Sequence, residues 1–232
     1  MFPSGFYRDE NGELNVQGIK IDALTAKYGT PLFIYDTGLM KERYELFLNT
    51  VKNVKGNIHY AVKANDSVNI IKFFGKLGAG ADIVSIGEFH KCIAAGITPD
   101  KIIFSGVGKD KNEIETAIRN NILQFNIESK EELDDIYEIA SKLKLTANIC
   151  LRINPDIAPN THKKISTGEK ETKFGIDSED ILSIYEKLHK LKYINPVGLG
   201  VHIGSQIFDF NFFDKAYFCL LYTSPSPRDK CR

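Results

Sequence analysis

Ala81-Asp82-Ile83-Val84, then Ile102-Ile103-Phe104, then Leu123-Gln124-Phe125-Asn126-Ile127 are short apolar runs, each followed by a loop and a helical pattern. The same unit opens earlier with Ile58–Val62 and continues through Ala147–Ile153 and Val197–Ile203. Apolar positions at helical spacing fill the intervals, over Val68–Leu77, Gly87–Ala95, Lys111–Asn120, Ser129–Leu143 and Ser178–Leu191. The first five runs recur about every 21 to 24 residues, a spacing suited to successive βα units. Strands alternating with helices imply an α/β fold with a parallel sheet covered by helices. Regular units without a Gly-rich nucleotide fingerprint favour a (β/α)8 TIM-type barrel over a doubly wound sheet. Such a barrel typically takes about 250 residues. The chain has 232 residues and reaches only about the sixth strand, so an incomplete barrel is expected.

Outside these units, Leu32–Tyr35 reads as a short strand. A helix follows from about Gly38 to Val51, with Asp36 or Thr37 as its cap. Residues 1–36 are thus an N-terminal segment, expected to contribute its strand to a further β-domain that this chain does not contain, and residues 37–218 the partial barrel. The fifth unit carries a long polar stretch, Asp156 to Asp177, leaving the strand end where barrel enzymes place their active sites. At the far end a helix begins near Asn211 and carries Phe212, Phe213, Ala216 and Tyr217. Pro225 and Pro227 then break any helix. Residues 219–232 read as a non-native tail resembling translated adapter sequence.

Thirty basic residues balance thirty acidic ones, so charge gives no case for nucleic acid or an anionic membrane as partner. No apolar run approaches the roughly 18 residues of a membrane span, and the first residues lack a secretory pattern. Cys92, Cys150, Cys219 and Cys231 form no CxxC pair, so a cytoplasmic protein with reduced thiols is the simplest reading.

The strongest chemical feature is Tyr60-Ala61-Val62-Lys63-Ala64-Asn65. Strand alternation puts His59, Ala61 and Lys63 on the face opposite Ile58, Tyr60 and Val62. With the apolar face toward the helices, Lys63 points into the barrel. Burial would lower its pKa and suit it to form a Schiff base with an aldehyde. By the pattern alone, a lysine at a strand end reaching water is the plainer account. In the sixth run Val197, Leu199, Val201 and Ile203 form a bulky face, and Gly198, Gly200, His202 and Gly204 the other. A glycine-lined face means that something approaches the backbone closely. His202 can stack on a flat ring there, and the Ser205 hydroxyl with backbone N–H groups, that of Gly204 among them, can hold a phosphate. A core histidine beside a turn is the plainer account of that segment by itself. Asp82 and Arg152 interrupt apolar strands. Charges so placed need partners, each other or a ligand. Ser105-Gly106-Val107-Gly108-Lys109-Asp110 looks like a phosphate loop but lacks the spacing and the final hydroxyl, and reads as a loop after the third strand.

From about Thr30 to Tyr217 the chain resembles the alanine-racemase-like decarboxylases of ornithine, arginine and diaminopimelate. The diaminopimelate branch is matched in particular by Tyr60–Asn65, Leu77–Glu88, Ile103–Lys109, Phe125–Glu132, Leu151–Asp156, Thr161–Ile176 and His202–Ile207. Within these, Ile165-Ser166-Thr167-Gly168 followed by Lys173-Phe174-Gly175-Ile176 is the most family-specific. The resemblance implies pyridoxal 5′-phosphate bound covalently to Lys63, His202 stacked on its ring and Ser205 with Gly204 at its phosphate. It places Asp82 and Arg152 in a polar network around the cofactor. It implies decarboxylation of meso-2,6-diaminopimelate to L-lysine and carbon dioxide, in a homodimer whose C-terminal β-domain is not in this chain. The alternatives are a decarboxylase of ornithine, arginine or carboxynorspermidine, an alanine-racemase-type enzyme, or a non-catalytic pyridoxal-phosphate-binding barrel. The chain alone is expected to be insoluble or inactive, because an unfinished barrel exposes a sheet edge.

Overall fold

A computed structural model describes residues 5–54, 56–155, 174–205 and 207–223. The chain divides into two compact units, residues 1–58 and 59–232.

The first unit holds strands β1 (Phe6–Arg8), β2 (Leu14–Val16) and β3 (Ile19–Lys20) and helices α1 (Ile21–Tyr28) and α2 (Thr37–Val51). The three strands make an antiparallel meander, in the order β1-β2-β3. Val16 pairs with Ile19 across Gln17-Gly18, both at positive φ (50° and 76°), as a tight two-residue hairpin requires. Strands of two or three residues carry too little alternation to be read from sequence, and this sheet was not expected. The expected strand Leu32–Tyr35 does not form. The segment has no ladder partner among the described residues; Phe33 is 84% exposed and Tyr35 is exposed, while Leu32 and Ile34 are half-buried. Asp36 is the cap of α2: its carboxylate accepts from the Leu39 N–H at 3.0 Å and from the Gln17 amide.

The second unit is the partial barrel. Strands β4 (His59–Ala61), β5 (Gly80–Ile83), β6 (Ile102–Phe104), β7 (Gln124–Ile127) and β8 (Ala147–Asn154) follow in turn. The short β9 (Ile176–Asp177) and then β10 (Ile194–Val201) complete the set. Helices α3 (Val68–Lys76), α4 (Ile86–Ala94), α5 (Lys111–Arg119), α6 (Lys130–Leu143) and α7 (Ser178–Leu188) intervene, and α8 (Asn211–Thr223) closes the described chain. Every pairing is parallel, in the order β10-β8-β7-β6-β5-β4, with β9 beside the end of β8. The sheet is an incomplete barrel of the expected kind. Two of the sequence readings, the long polar loop over 156–173 and the end of the tail over 224–232, lie outside the described residues.

Alternation sorts the strand residues sharply. Ile83, Ile102, Phe104, Phe125, Ile127, Ile149, Leu151 and Ile153 are essentially solvent-free and share the main core with Ile71, Phe89, Ile114, Ile136 and Ile181 of the helices. Most of the opposite positions, toward the barrel interior, are polar: Asp82, Gln124, Asn126, Asn148 and Arg152, with Ile103 and Cys150 between them. Three helices start alike. Ser85, Asp110 and Ser129 cap α4, α5 and α6, and a glutamate three residues on returns a bond to backbone: Glu88 to Val84 N–H, Glu113 to Asp110 and Ile86 N–H, and Glu132 to Glu128 N–H. These bonds pin the strand ends at which the interior polar groups emerge.

Gly80 marks the tightest contact in the sheet. A Cβ there would stand 2.4 Å from both His59 Nδ1 and the Lys101 carbonyl oxygen. Backbone cannot yield as a flexible side chain can. Gly80→Ala is therefore expected to cost about 1–3 kcal/mol, read as a lower urea midpoint at unchanged m-value.

Candidate active site

At the C-terminal ends of the barrel strands lies a cavity of about 440 Å³. Lys63, Asp82, Arg152, His202, Gly204 and Ser205 all line it. They come from four separate places in the chain, and only the pairing of the strands brings them together.

Lys63 does not sit on the strand. β4 stops at Ala61, and Val62–Ala64 form a single 3₁₀ turn, closed by a bond from the Asn65 N–H to the Val62 carbonyl. Val62 drops into the core, and Lys63 is left at the cavity with its side chain in solvent. The expected buried amine is therefore corrected: the turn lifts it out of the sheet before the barrel can desolvate it. The aromatic ring of Tyr60 stacks on Phe74, 4.4 Å between centroids, and its hydroxyl donates to the Asn65 carbonyl, so the turn has a fixed base.

Asp82 and Arg152 do not pair with each other. Asp82 accepts from the Ser105 hydroxyl at 2.6 Å. Burial pushes its carboxyl above the usual range, opposed by the Ser105 bond and by the charges of Lys63, His59 and Lys109. Arg152 donates through a terminal guanidinium nitrogen to Glu128 at 2.7 Å. Its Nε is buried with no partner among the described residues. Glu128, only 5% exposed, also accepts from the Gly106 N–H at 3.0 Å.

β10 ends at Val201, sooner than the alternation suggests, and a bulge shifts its register against β8 between Pro196 and Gly198. Gly200 still lies opposite Arg152 on the cavity wall. His202 follows the strand and keeps solvent access. Desolvation by the surrounding protein, then the positive charges of Arg152 and Lys63, lowers its pKa, which favours a neutral imidazole. Gly204 has φ of 124°, a conformation that L side chains rarely adopt, and it turns the backbone so that Ser205 also reaches the cavity.

Ser105, Asn126 and Glu128 line the same cavity and were not singled out in the sequence. Their signal was available: polar residues at alternate positions of Gln124-Phe125-Asn126-Ile127-Glu128 mark one face of a strand whose other face is core. The false phosphate loop has a structural task. Lys109 Nζ is fully buried, pairs with Glu132 at 2.5 Å and donates to the carbonyls of Gly106 and Asn126. It ties the loop after β6 to α6.

Comparison with known proteins agrees with this geometry. The family described as pyridoxal-dependent decarboxylase, pyridoxal binding domain, matches residues 37–221. The diaminopimelate decarboxylase of Aquifex aeolicus is 44% identical over 210 residues, covering 90% of this chain and 49% of the relative. Among solved structures, diaminopimelate decarboxylase from M. jannaschii in complex with L-lysine superposes with a TM-score of 0.87 at 35% identity, over 94% of this chain and 52% of that one. The Helicobacter pylori enzyme complexed with L-lysine gives 0.81 at 39%, over 87% and 52%. The chain thus spans about half the length of the relatives it matches. The barrel, the lysine on its turn and the matched span together place this chain in the pyridoxal-dependent decarboxylase family, within the pyridoxal-binding domain.

Proposed function

We propose that this chain is the cofactor-binding part of a pyridoxal-phosphate-dependent enzyme that decarboxylates meso-2,6-diaminopimelate to L-lysine and carbon dioxide. The observation that carries the reading is the convergence of Lys63, Asp82, Arg152, His202, Gly204 and Ser205 on one cavity. The residues suit the cofactor. Arg152 offers a buried Nε–H without a partner among the described residues, and a cavity of about 440 Å³ is ample for a small aromatic phosphate. Lys63 supplies an amine with solvent access that would hold the cofactor's aldehyde. The neutral His202 imidazole offers a flat face for a ring. Ser205 and the Gly204 backbone offer donors for phosphate oxygens. Asp82 and Arg152 fix charge on opposite walls, and neither is neutralised by the other. When bound, pyridoxal phosphate supplies the electron sink that decarboxylation requires.

The L-lysine complexes of the two relatives favour diaminopimelate over ornithine, arginine or carboxynorspermidine, since L-lysine is what its decarboxylation yields. Among the described residues no helix is long and apolar enough to cross a membrane. A cytoplasmic enzyme working as a homodimer is part of the same proposal, resting on family resemblance.

Borohydride reduction of the chain with added pyridoxal phosphate, followed by peptide mapping, tests the cofactor site. A pyridoxyl label on Lys63 is expected. A folded chain that stays unlabelled would refute the reading. The 232-residue chain by itself is expected to release no carbon dioxide from diaminopimelate, whereas the complete protein should act on diaminopimelate in preference to the other three amino acids.

A further inference from the structure

Beneath the cavity runs a chain of hydrogen bonds with a single direction. Gln124 Nε2 donates to Asn126 Oδ1 at 2.9 Å, and Asn126 Nδ2 donates to Ser105 Oγ at 2.9 Å. The Ser105 hydroxyl donates to Asp82 Oδ1 at 2.6 Å. Each link dictates the next. Because the Asn126 oxygen is taken up by Gln124, its NH2 group turns to Ser105. Because Ser105 Oγ already accepts, its proton is free for Asp82. All four side chains are partly buried and stand on three adjacent strands or their ends. Barrel interiors are usually filled by branched apolar residues, so a row of polar groups ending on a carboxylate needs an explanation.

We propose that Ser105 and Asn126, backed by Gln124, are positioning residues that keep Asp82 ionised and aimed at the cavity beside Lys63. A partly buried carboxylate without donors would take up a proton, since burial disfavours the charged form. A donor held by a second donor is polarised by it and binds the anion more strongly. The charged groups that act on Asp82 are Lys63 and His59 from β4 and its turn and Lys109 from the loop after β6, with Glu88 of α4 as the opposing anion. Arg152 and Glu128, on the other wall, are committed to each other. A fixed anion at Asp82 sets a negative charge on the cavity wall that Lys63 shares. The use of that charge in catalysis rests on the proposed function, whereas the donor chain itself does not.

The test needs no cofactor. In the 232-residue chain labelled with 13C at aspartate carboxyls, the Asp82 signal is assigned by its loss in Asp82→Asn and followed against pH. Ser105→Ala removes a bond that is stronger to the ionised form, so the titration should move up by roughly one pH unit. Asn126→Ala keeps the hydroxyl and should give a smaller upward shift; it also replaces Ser105→Ala as the probe should that variant lose its fold. Ser105→Thr retains a donor and should restore the original midpoint. An Asp82 midpoint unmoved by removal of either donor would overturn the proposal. A chain that fails to bind pyridoxal phosphate but shows these shifts would refute the functional reading and leave this inference standing.

Discussion

Lys63→Ala should reduce borohydride-trapped pyridoxal phosphate to background while leaving the fold intact. Lys63 lies on a solvent-exposed turn, outside the core that Val62 enters, so its truncation removes little packing. What is lost is the amine. Among the described residues, Lys63 is the lysine that lines the cavity. A bound aldehyde would therefore find no substitute amine on the described cavity wall. Lys63→Arg is the sharper control. The guanidinium keeps the positive charge beside Asp82 but does not deprotonate, so it cannot act as a nucleophile at neutral pH. If labelling of either variant matched that of the original chain, with the label mapped elsewhere, the assignment of Lys63 would fail. Circular dichroism on the same samples separates loss of chemistry from loss of structure.

Glu128→Ala should be the most destabilising single change at the site. Glu128 is buried, and its carboxylate satisfies both the Arg152 guanidinium and the Gly106 N–H. Removing it leaves a largely buried cation without a counter-charge and a backbone donor without an acceptor. Breaking one side of a buried pair costs about 3–5 kcal/mol, because the surviving charge keeps its desolvation penalty and loses its compensation. Glu128→Gln keeps an acceptor and should cost less. Glu128→Leu combined with Arg152→Met should recover much of the loss, since no unpaired charge remains. Urea denaturation of the four proteins measures all of this. A Glu128→Ala midpoint within error of the original would show that the pair is not stabilising in the sense argued. The same series bears on function: without Glu128, nothing among the described residues holds Arg152 in its present place, and cofactor affinity should fall with it.

The alternation of apolar and polar positions in short runs, with helical spacing between them, is local information. It was enough to locate the strands β4 to β8 and β10 and the helices α2 to α7 to within a few residues, whereas Lys63, Asp82, Arg152, His202, Gly204 and Ser205 were proposed as a site only once the family resemblance was added. Such patterns persist in the sequence because one face of each strand must bury against helices whatever else the protein does. The small N-terminal sheet escaped because strands of two and three residues have no period to detect. Tertiary structure decided the rest. It ended β4 early and put Lys63 on a turn in solvent. It gave Arg152 to Glu128 and Asp82 to Ser105, where the sequence had offered the two charges to each other. It converted Lys109 from a mock phosphate ligand into a buried tie between a loop and α6. These partnerships join residues more than twenty positions apart, and only sheet register sets which of them meet: a shift of one residue would turn every one of those side chains to the opposite face.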